Sequence, residues 1–339
     1  MWFLTSSASL FYPCFLSSTL LGAMIALSST NWYMMWVGLE INMYSFIPFL
    51  LHLDMTKRKE NAAKYFLAQA TGSMLLLMAT LTSYTSNMLS GLLFLAAILL
   101  KGGFAPFHYW YPSIMVASPW MTCLILSTIQ KITPAILLIS VLPQNSYFLL
   151  VLGSLMILIG GLAGMNQTQL RAIMAYSSIA QMGWITIASQ LSTTINLIML
   201  MNYMLTLTVI MIIMAYNEWN SGNEPLMSWG KNNLMKFILM LQLINLGGVP
   251  PFTGFILKAI IISKLMSKLL IFSAIVAVLG SLLSLFFYMK VMFHSLFSLL
   301  ESTTTNAYPM KEMQKMMIMV LSAISTFPIL LMMFPWLMT

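Results

Sequence analysis

Lys101-Gly102-Gly103-Phe104-Ala105-Pro106-Phe107 and Leu246-Gly247-Gly248-Val249-Pro250-Pro251-Phe252 share the pattern Gly-Gly-x-x-Pro-Phe at an offset of 145 residues, and both interrupt long apolar runs. Proline has no amide hydrogen, and its ring displaces the carbonyl four residues earlier. Pro106 acts in this way on Gly102, Pro251 on Gly247 and Pro250 on Leu246. Backbone freed at bilayer depth is tolerated only where it is buried in protein or lines a water-filled cavity. Each motif therefore reads as a break in a buried membrane helix, with a simple packing kink as the alternative.

The surrounding composition fits a membrane. Of 339 residues, 60% are hydrophobic and 6% charged, whereas a soluble domain carries about 25% charged residues. A soluble enzyme, a DNA-binding module and a disordered chain are excluded together. The net charge of +8, from 15 Lys and Arg against 7 Asp and Glu, reads as loop charge facing a membrane surface. Cys14 and Cys123 lie in apolar runs, and His52, His108 and His294 are far apart. Two thiols cannot supply four ligands to an iron–sulfur cluster or a structural zinc. No glycine-rich nucleotide fingerprint follows a strand pattern. The expectation is that this chain binds no cofactor or metal of its own, and that its chemistry is done by side chains inside the membrane. The first Lys or Arg is Lys57, so neither a basic signal region nor an arginine-rich transit peptide is read before it. The 34 methionines fit a mitochondrial code that reads an extra codon as Met.

A helix crossing about 30 Å of hydrocarbon needs roughly 20 apolar residues. That ruler gives eleven expected spans: 9–28, 31–51, 61–85, 88–105, 119–141, 146–165, 171–190, 194–216, 234–265, 269–297 and 313–335. The fold class is therefore an all-α polytopic membrane protein forming a single membrane domain, 1–339. The two Gly-Gly-x-x-Pro-Phe motifs fall in spans four and nine, the fourth members of two five-span blocks. Five is odd, so 9–141 and 146–297 read as inverted repeats, with 313–335 as a C-terminal helix. Broken helices at matching places in inverted repeats point to a transporter site. With eleven spans, Lys57, Arg58, Lys59, Lys64, Arg171, Lys231, Lys236, Lys311 and Lys315 fall on the N-terminal side, and only Lys264 and Lys268 on the other. The positive-inside rule places the N-terminus in the cytoplasm or the mitochondrial matrix.

Four charges stand deep inside expected spans: Glu40, Lys101, Lys131 and Lys258. Lys290 is a weaker fifth, near enough to a span end to snorkel. Each costs on the order of 2.5–3.5 kcal/mol on insertion scales. Together four approach the stability of an ordinary domain, about 5–15 kcal/mol. A Glu–Lys pair can serve as structural glue, but three lysines cannot all pair with one carboxylate. Buried lysine is a tunable proton carrier whose affinity responds to a carboxylate within about 4–6 Å. Movement of Glu40 relative to Lys101 would change whether that lysine holds its proton. Ser127, Thr128, Ser177, Ser178, Gln181, Asn202, Gln242 and Asn245 could hold linking water, although each alone reads better as an ordinary helix–helix hydrogen bond.

Trp36-Val37-Gly38-Leu39-Glu40-Ile41-Asn42, 101–110, Gln130-Lys131-Ile132-Thr133-Pro134, 166–184 and 247–255 together resemble the NADH dehydrogenase subunit 2 family, antiporter-like membrane subunits of respiratory complex I. The likeness runs from about residue 20 to 295. It implies the eleven-helix animal form, located in the mitochondrial inner membrane with the N-terminus in the matrix and the C-terminus in the intermembrane space. It implies that Glu40, Lys101, Lys131 and Lys258 are intramembrane proton-path residues. It also implies that NADH, FMN, iron–sulfur clusters and ubiquinone are bound by other subunits. The implied partners are antiporter-like and small hydrophobic membrane-arm subunits and lipids, with no nucleic acid. The alternative is a free-standing cation/proton antiporter of the same fold.

Overall fold

A computed structural model describes residues 11–51, 56–83, 86–141, 146–216, 233–301 and 312–326. Residues 9–10 and 327–335 of the expected first and last spans, and residues 52–55, 217–232 and 302–311 of the polar stretches, lie outside the described residues. The helices are α1 (Phe11–Ser28), α2 (Trp32–Leu51), α3 (Thr56–Thr82), α4 (Asn87–Gly102), α5 (Trp110–Ala117), α6 (Trp120–Ser127) and α7 (Ile129–Val141). They continue with α8 (Tyr147–Met165), α9 (Leu170–Ser189), α10 (Thr193–Tyr216), α11 (Asn233–Gly247), α12 (Thr253–Ser267), α13 (Ile271–Glu301) and α14 (Glu312–Thr326). No strand occurs among the described residues. Among the described residues, six helical stretches are long and apolar enough to cross a membrane: Trp32–Leu51, Lys59–Thr82, Trp120–Ile139, Tyr147–Met165, Thr193–Ala215 and Ile271–Phe293.

The chain divides into two compact units, residues 1–118 with 125–142 and residues 119–124 with 143–339. In the first, α1 and α2 pack so closely that a Cβ on Gly38 would meet the Ala26 amide nitrogen and one on Gly22 the Asn42 nitrogen at 2.7 Å. Small residues at such crossings let backbones approach where lipid offers no hydrophobic drive. The second unit uses the same device. Gly160 of α8 lies against Ala180 of α9, and Gly280 of α13 lies against Ile157 of α8.

Span nine is broken as its sequence requires, α11 ending at Gly247 and α12 starting at Thr253. Span four ends at Gly102, but the chain then forms α5, which the sequence reading leaves between spans. α5 stops at Ala117 because Ser118 precedes Pro119. The proline ring disfavours helical backbone in the residue before it, and Ser118 is extended at φ −88°, ψ 149°. Span five departs from a continuous helix. It is interrupted at Thr128, so that Lys131 stands in the first turn of α7.

Candidate functional site

In the first unit, the carbonyls of Leu99, Leu100 and Lys101 at the end of α4 all find donors. Gly103 is left-handed (φ 64°), and its N–H donates to Leu100 O while Phe104 N–H donates to Leu99 O. Only glycine enters this conformation freely. Trp110 Nε1 also donates to Leu100 O at 3.0 Å, and Gln69 Nε2 from α3 donates to Lys101 O at 2.9 Å. A helix end buried without such partners would leave costly bare carbonyls.

Lys101 is the last side chain of α4 before the two glycines, and it turns to Glu40 of α2 with Nζ 3.4 Å from Oε1. The side chains are 3% and 13% exposed. Its stem crosses α3 at Gly72, where a Cβ would lie 2.8 Å from Lys101 Cγ. Two residues beyond Glu40, Asn42 Oδ1 accepts from Gln130 Nε2 of α7 at 2.9 Å, and Gln130 Oε1 accepts from Tyr65 OH at 3.3 Å. Gln130 is the neighbour of Lys131, so α2 and α7 are tied beside their charged residues. Lys131 is 1% exposed. Its Nζ lies 3.8 Å from the centroid of the Tyr111 ring and 6.0 Å from that of Phe104. An aromatic face attracts a cation through its quadrupole. The break after Gly102 delivers both rings, Phe104 directly and Tyr111 through α5.

The second unit solves the same problem with the lysine itself. Gly248 is left-handed (φ 81°), and its N–H donates to Ile244 O and Asn245 O. The next two carbonyls of α11, those of Leu246 and Gly247, each accept from Lys258 Nζ at 3.0 Å. Gln181 Nε2 of α9 adds a further donor to Leu246 O at 3.0 Å. An ammonium group at a helix C-terminus complements the helix dipole. The Trp184 ring centroid lies 5.8 Å from Lys258 Nζ. Lys258 is thus held by backbone, a partner type that counting carboxylates does not reveal.

Across the break, Asn245 joins the two half-helices. Its Oδ1 accepts from Gly254 N at 2.8 Å and lies 2.9 Å from Thr253 Oγ1, while its Nδ2 donates to Ser325 O of α14 at 2.8 Å. The Thr253 hydroxyl is also 2.7 Å from Ser325 O and 3.1 Å from Asn202 Oδ1. It has one proton to give, so these acceptors compete for it. Gln242 and Ser325 add a second link between α11 and α14 at 3.0 Å. A small cavity of about 10 Å³ lies against Lys258, bounded also by Gln181, Asn202 and Asn245. That is about the volume of a single water probe.

The four charged residues of the sequence reading thus fall into Glu40, Lys101 and Lys131 in one unit and Lys258 in the other. Lys290 is only partly buried. Ser177 and Ser178 bond back to Met174 O and Ala175 O of their own helix. Gln69, Gly72, Gln130 and Ser325 are missed by the sequence reading. Their residue types are common in membrane helices, and only their distant partners mark them.

This is the architecture of an antiporter-like membrane protein, with a lysine at each of two broken helices. The family model described as NADH:quinone oxidoreductase/Mrp antiporter, TM, matches residues 80–284. The NADH-ubiquinone oxidoreductase chain 2 of Lumbricus terrestris is 38% identical over 287 residues, 83% of this chain and 85% of that one. That of Mus musculus is 38% identical over 309 residues, 88% and 87% of the two chains. The chain belongs to the NADH-ubiquinone oxidoreductase chain 2 family. Two solved structures share the fold. A chain of respiratory complex I from Thermus thermophilus has a TM-score of 0.83 at 21% identity, covering 95% of this chain and 78% of that one. A chain of the Mrp complex from Dietzia sp. has a TM-score of 0.75 at 18% identity, covering 88% and 62%.

Proposed function

We propose that this chain is a core membrane subunit of proton-pumping NADH:ubiquinone oxidoreductase and that protons move through it by way of Glu40, Lys101, Lys131 and Lys258. Redox chemistry in other subunits, which hold the NADH, FMN, iron–sulfur clusters and ubiquinone, drives the movement. The observation that carries the reading is the placing of a buried lysine at each helix break, one against Glu40 at 3.4 Å and one on two freed carbonyls. At Lys101, a proton taken up on Nζ makes an ammonium for which Glu40 is the counter-charge. Lengthening that contact withdraws the counter-charge, the N–H bond breaks, and the proton passes to an adjoining oxygen. The lysine is left neutral, ready for the next proton.

The same reading gives eleven membrane spans in two inverted five-helix repeats, 9–141 and 146–297, with the stretch 313–335 as a C-terminal helix. The left-handed glycine and nearby lysine in both α4 and α11–α12 support it. The chain lies in the mitochondrial inner membrane with its N-terminus in the matrix, as its basic residues favour. Its neighbours are the other membrane-arm subunits and lipid. A free-standing cation/proton antiporter is the second reading, favoured by the likeness to the Mrp complex chain. Native electrophoresis of the source membrane separates them. The complex I reading expects the chain in a megadalton-scale assembly with NADH dehydrogenase activity, and migration as a single chain would refute it.

A further inference from the structure

Asn196, in the first turn of α10, is 0% exposed, yet neither its Oδ1 nor its Nδ2 has a hydrogen-bond partner among the described residues. Ser192, one helical turn earlier, is partly buried, and its buried Oγ likewise has no hydrogen-bond partner among the described residues. Buried amides are nearly always satisfied, by protein or by ordered water, and a polar atom left bare is costly. An apolar residue of the same shape would avoid that cost, so Asn196 calls for a ligand that both donates and accepts.

Its place on α10 shows where such a ligand leads. Asn196, Met199 and Tyr203 are spaced i, i+3, i+7 and share one helix face. Met199, Asn202 and Tyr203 line the cavity of about 10 Å³ beside Lys258. Asn196 and Asn202 are separated by about 9 Å of helix rise. In the other direction the chain reaches a polar cluster. Gln190 Oε1 accepts from Ser146 N at 2.9 Å, and Gln190 O accepts from Lys268 Nζ at 3.4 Å. Lys268 is exposed. A buried lysine, an unsatisfied amide and a surface cluster therefore follow one another along the same stretch of the second unit.

We propose that Asn196 and Ser192 hold ordered water, and that this water forms a branch through which Lys258 exchanges protons with the α9–α10 end of the unit. The inference rests on the reading of Lys258 as a proton-carrying group. For release, an Nζ–H bond of protonated Lys258 breaks as an O–H bond forms on the cavity water. That water gives up a different proton to the next, and one proton leaves at the Gln190–Lys268 end. Lys258 is left neutral, and the same steps in reverse reload it. Asn196 gains and loses no proton. Its Oδ1 accepts from one water and its Nδ2 donates to a water lone pair, which makes it a positioning residue for the chain.

The test uses the assembled complex in proteoliposomes, with protons translocated per NADH oxidised as the readout. Asn196→Leu is near-isosteric and removes both polar atoms. A bare, unoccupied amide predicts wild-type pumping and equal or higher stability. The water branch predicts pumping as low as in Lys258→Met, with NADH oxidation by an artificial acceptor unchanged. Asn196→Ser, which keeps a hydroxyl and leaves room for a further water, should then recover at least half of the wild-type ratio. Wild-type pumping by Asn196→Leu beside a defective Lys258→Met overturns the branch and leaves the proton reading standing. Wild-type pumping by both overturns the two together. If Asn196→Leu does not assemble, a high-resolution map of the unaltered complex decides. Water within hydrogen-bond distance of both Asn196 amide atoms supports the branch, and side-chain packing without water there overturns it.

Discussion

Gly72→Ala adds one methyl group to α3 and aims it at Lys101. The new Cβ would stand 2.8 Å from Lys101 Cγ and 3.5 Å from Cε. Carbon atoms pack at about 3.5–4.0 Å, so the first contact is short by about 0.7 Å or more. Cγ is near the root of the side chain, so the shift cannot be absorbed at its tip. Relief requires a turn about χ1, which carries Nζ away from its 3.4 Å contact with Glu40. Overpacking of this kind costs about 1–3 kcal/mol, while Gly-to-Ala in a helix interior returns about 0.8–1.0 kcal/mol. The net loss of stability is up to about 2 kcal/mol, and the strain of about 1–3 kcal/mol, present only while Lys101 keeps its place, lowers the population of the undisplaced side chain by about fivefold to a hundredfold. Gly91→Ala on α4 is the control, because a Cβ there meets nothing within 4 Å. The assay compares NADH-driven proton uptake by proteoliposomes with NADH oxidation by an artificial acceptor. Gly72→Ala should lower the first several-fold and spare the second, and Gly91→Ala should spare both. Equal pumping by the two variants would refute the placing of Lys101 as functional.

Glu40→Gln and Lys101→Met should each lower pumping without loss of artificial-acceptor activity, and the double variant should be little worse than either; additive losses would show independent action. Gly248→Ala forces a Cβ into left-handed backbone at φ 81° and to 3.0 Å from Lys258 Cδ, at a cost of about 1–2 kcal/mol for the backbone alone; pumping and thermal stability should both fall, and neither effect is expected of Gly91→Ala. Gln181→Leu removes one donor from Leu246 O but leaves Lys258 Nζ on it, so its stability loss should be near 1 kcal/mol. Asn245→Leu strands Gly254 N and leaves Ser325 O with the Thr253 hydroxyl alone, so it should cost more than Gln181→Leu in thermal unfolding of the complex.

What could be read from the sequence was whatever is expensive regardless of partner. Glu40, Lys101, Lys131 and Lys258 stand out because charge in an apolar run is costly anywhere, and Gly247–Pro251 because proline breaks a helix wherever it lies. The interruption at Thr128 escaped because Pro134, the nearby breaker, frees the carbonyl of Gln130 and not that of a residue before Thr128. Gln69 escaped, and the carbonyl partner of Gln181 with it, for another reason. A glutamine in a membrane helix looks alike whether it meets lipid headgroup, water or a carbonyl 65 residues away. α14 reads as generic apolar helix, yet its last turn supplies Ser322 O and Ser325 O to Gln242, Asn245 and Thr253. Those carbonyls are backbone groups, and no residue type announces them.

Proton carriage by the buried lysines is tested most directly by protons translocated per NADH oxidised in fully assembled complex carrying Lys101→Met in one preparation and Lys258→Met in another. Assembly is checked by native electrophoresis and the redox arm by artificial-acceptor activity. A lowered ratio in both preparations, with both checks normal, is the predicted result. A wild-type ratio in both would contradict the claim that these buried lysines carry protons.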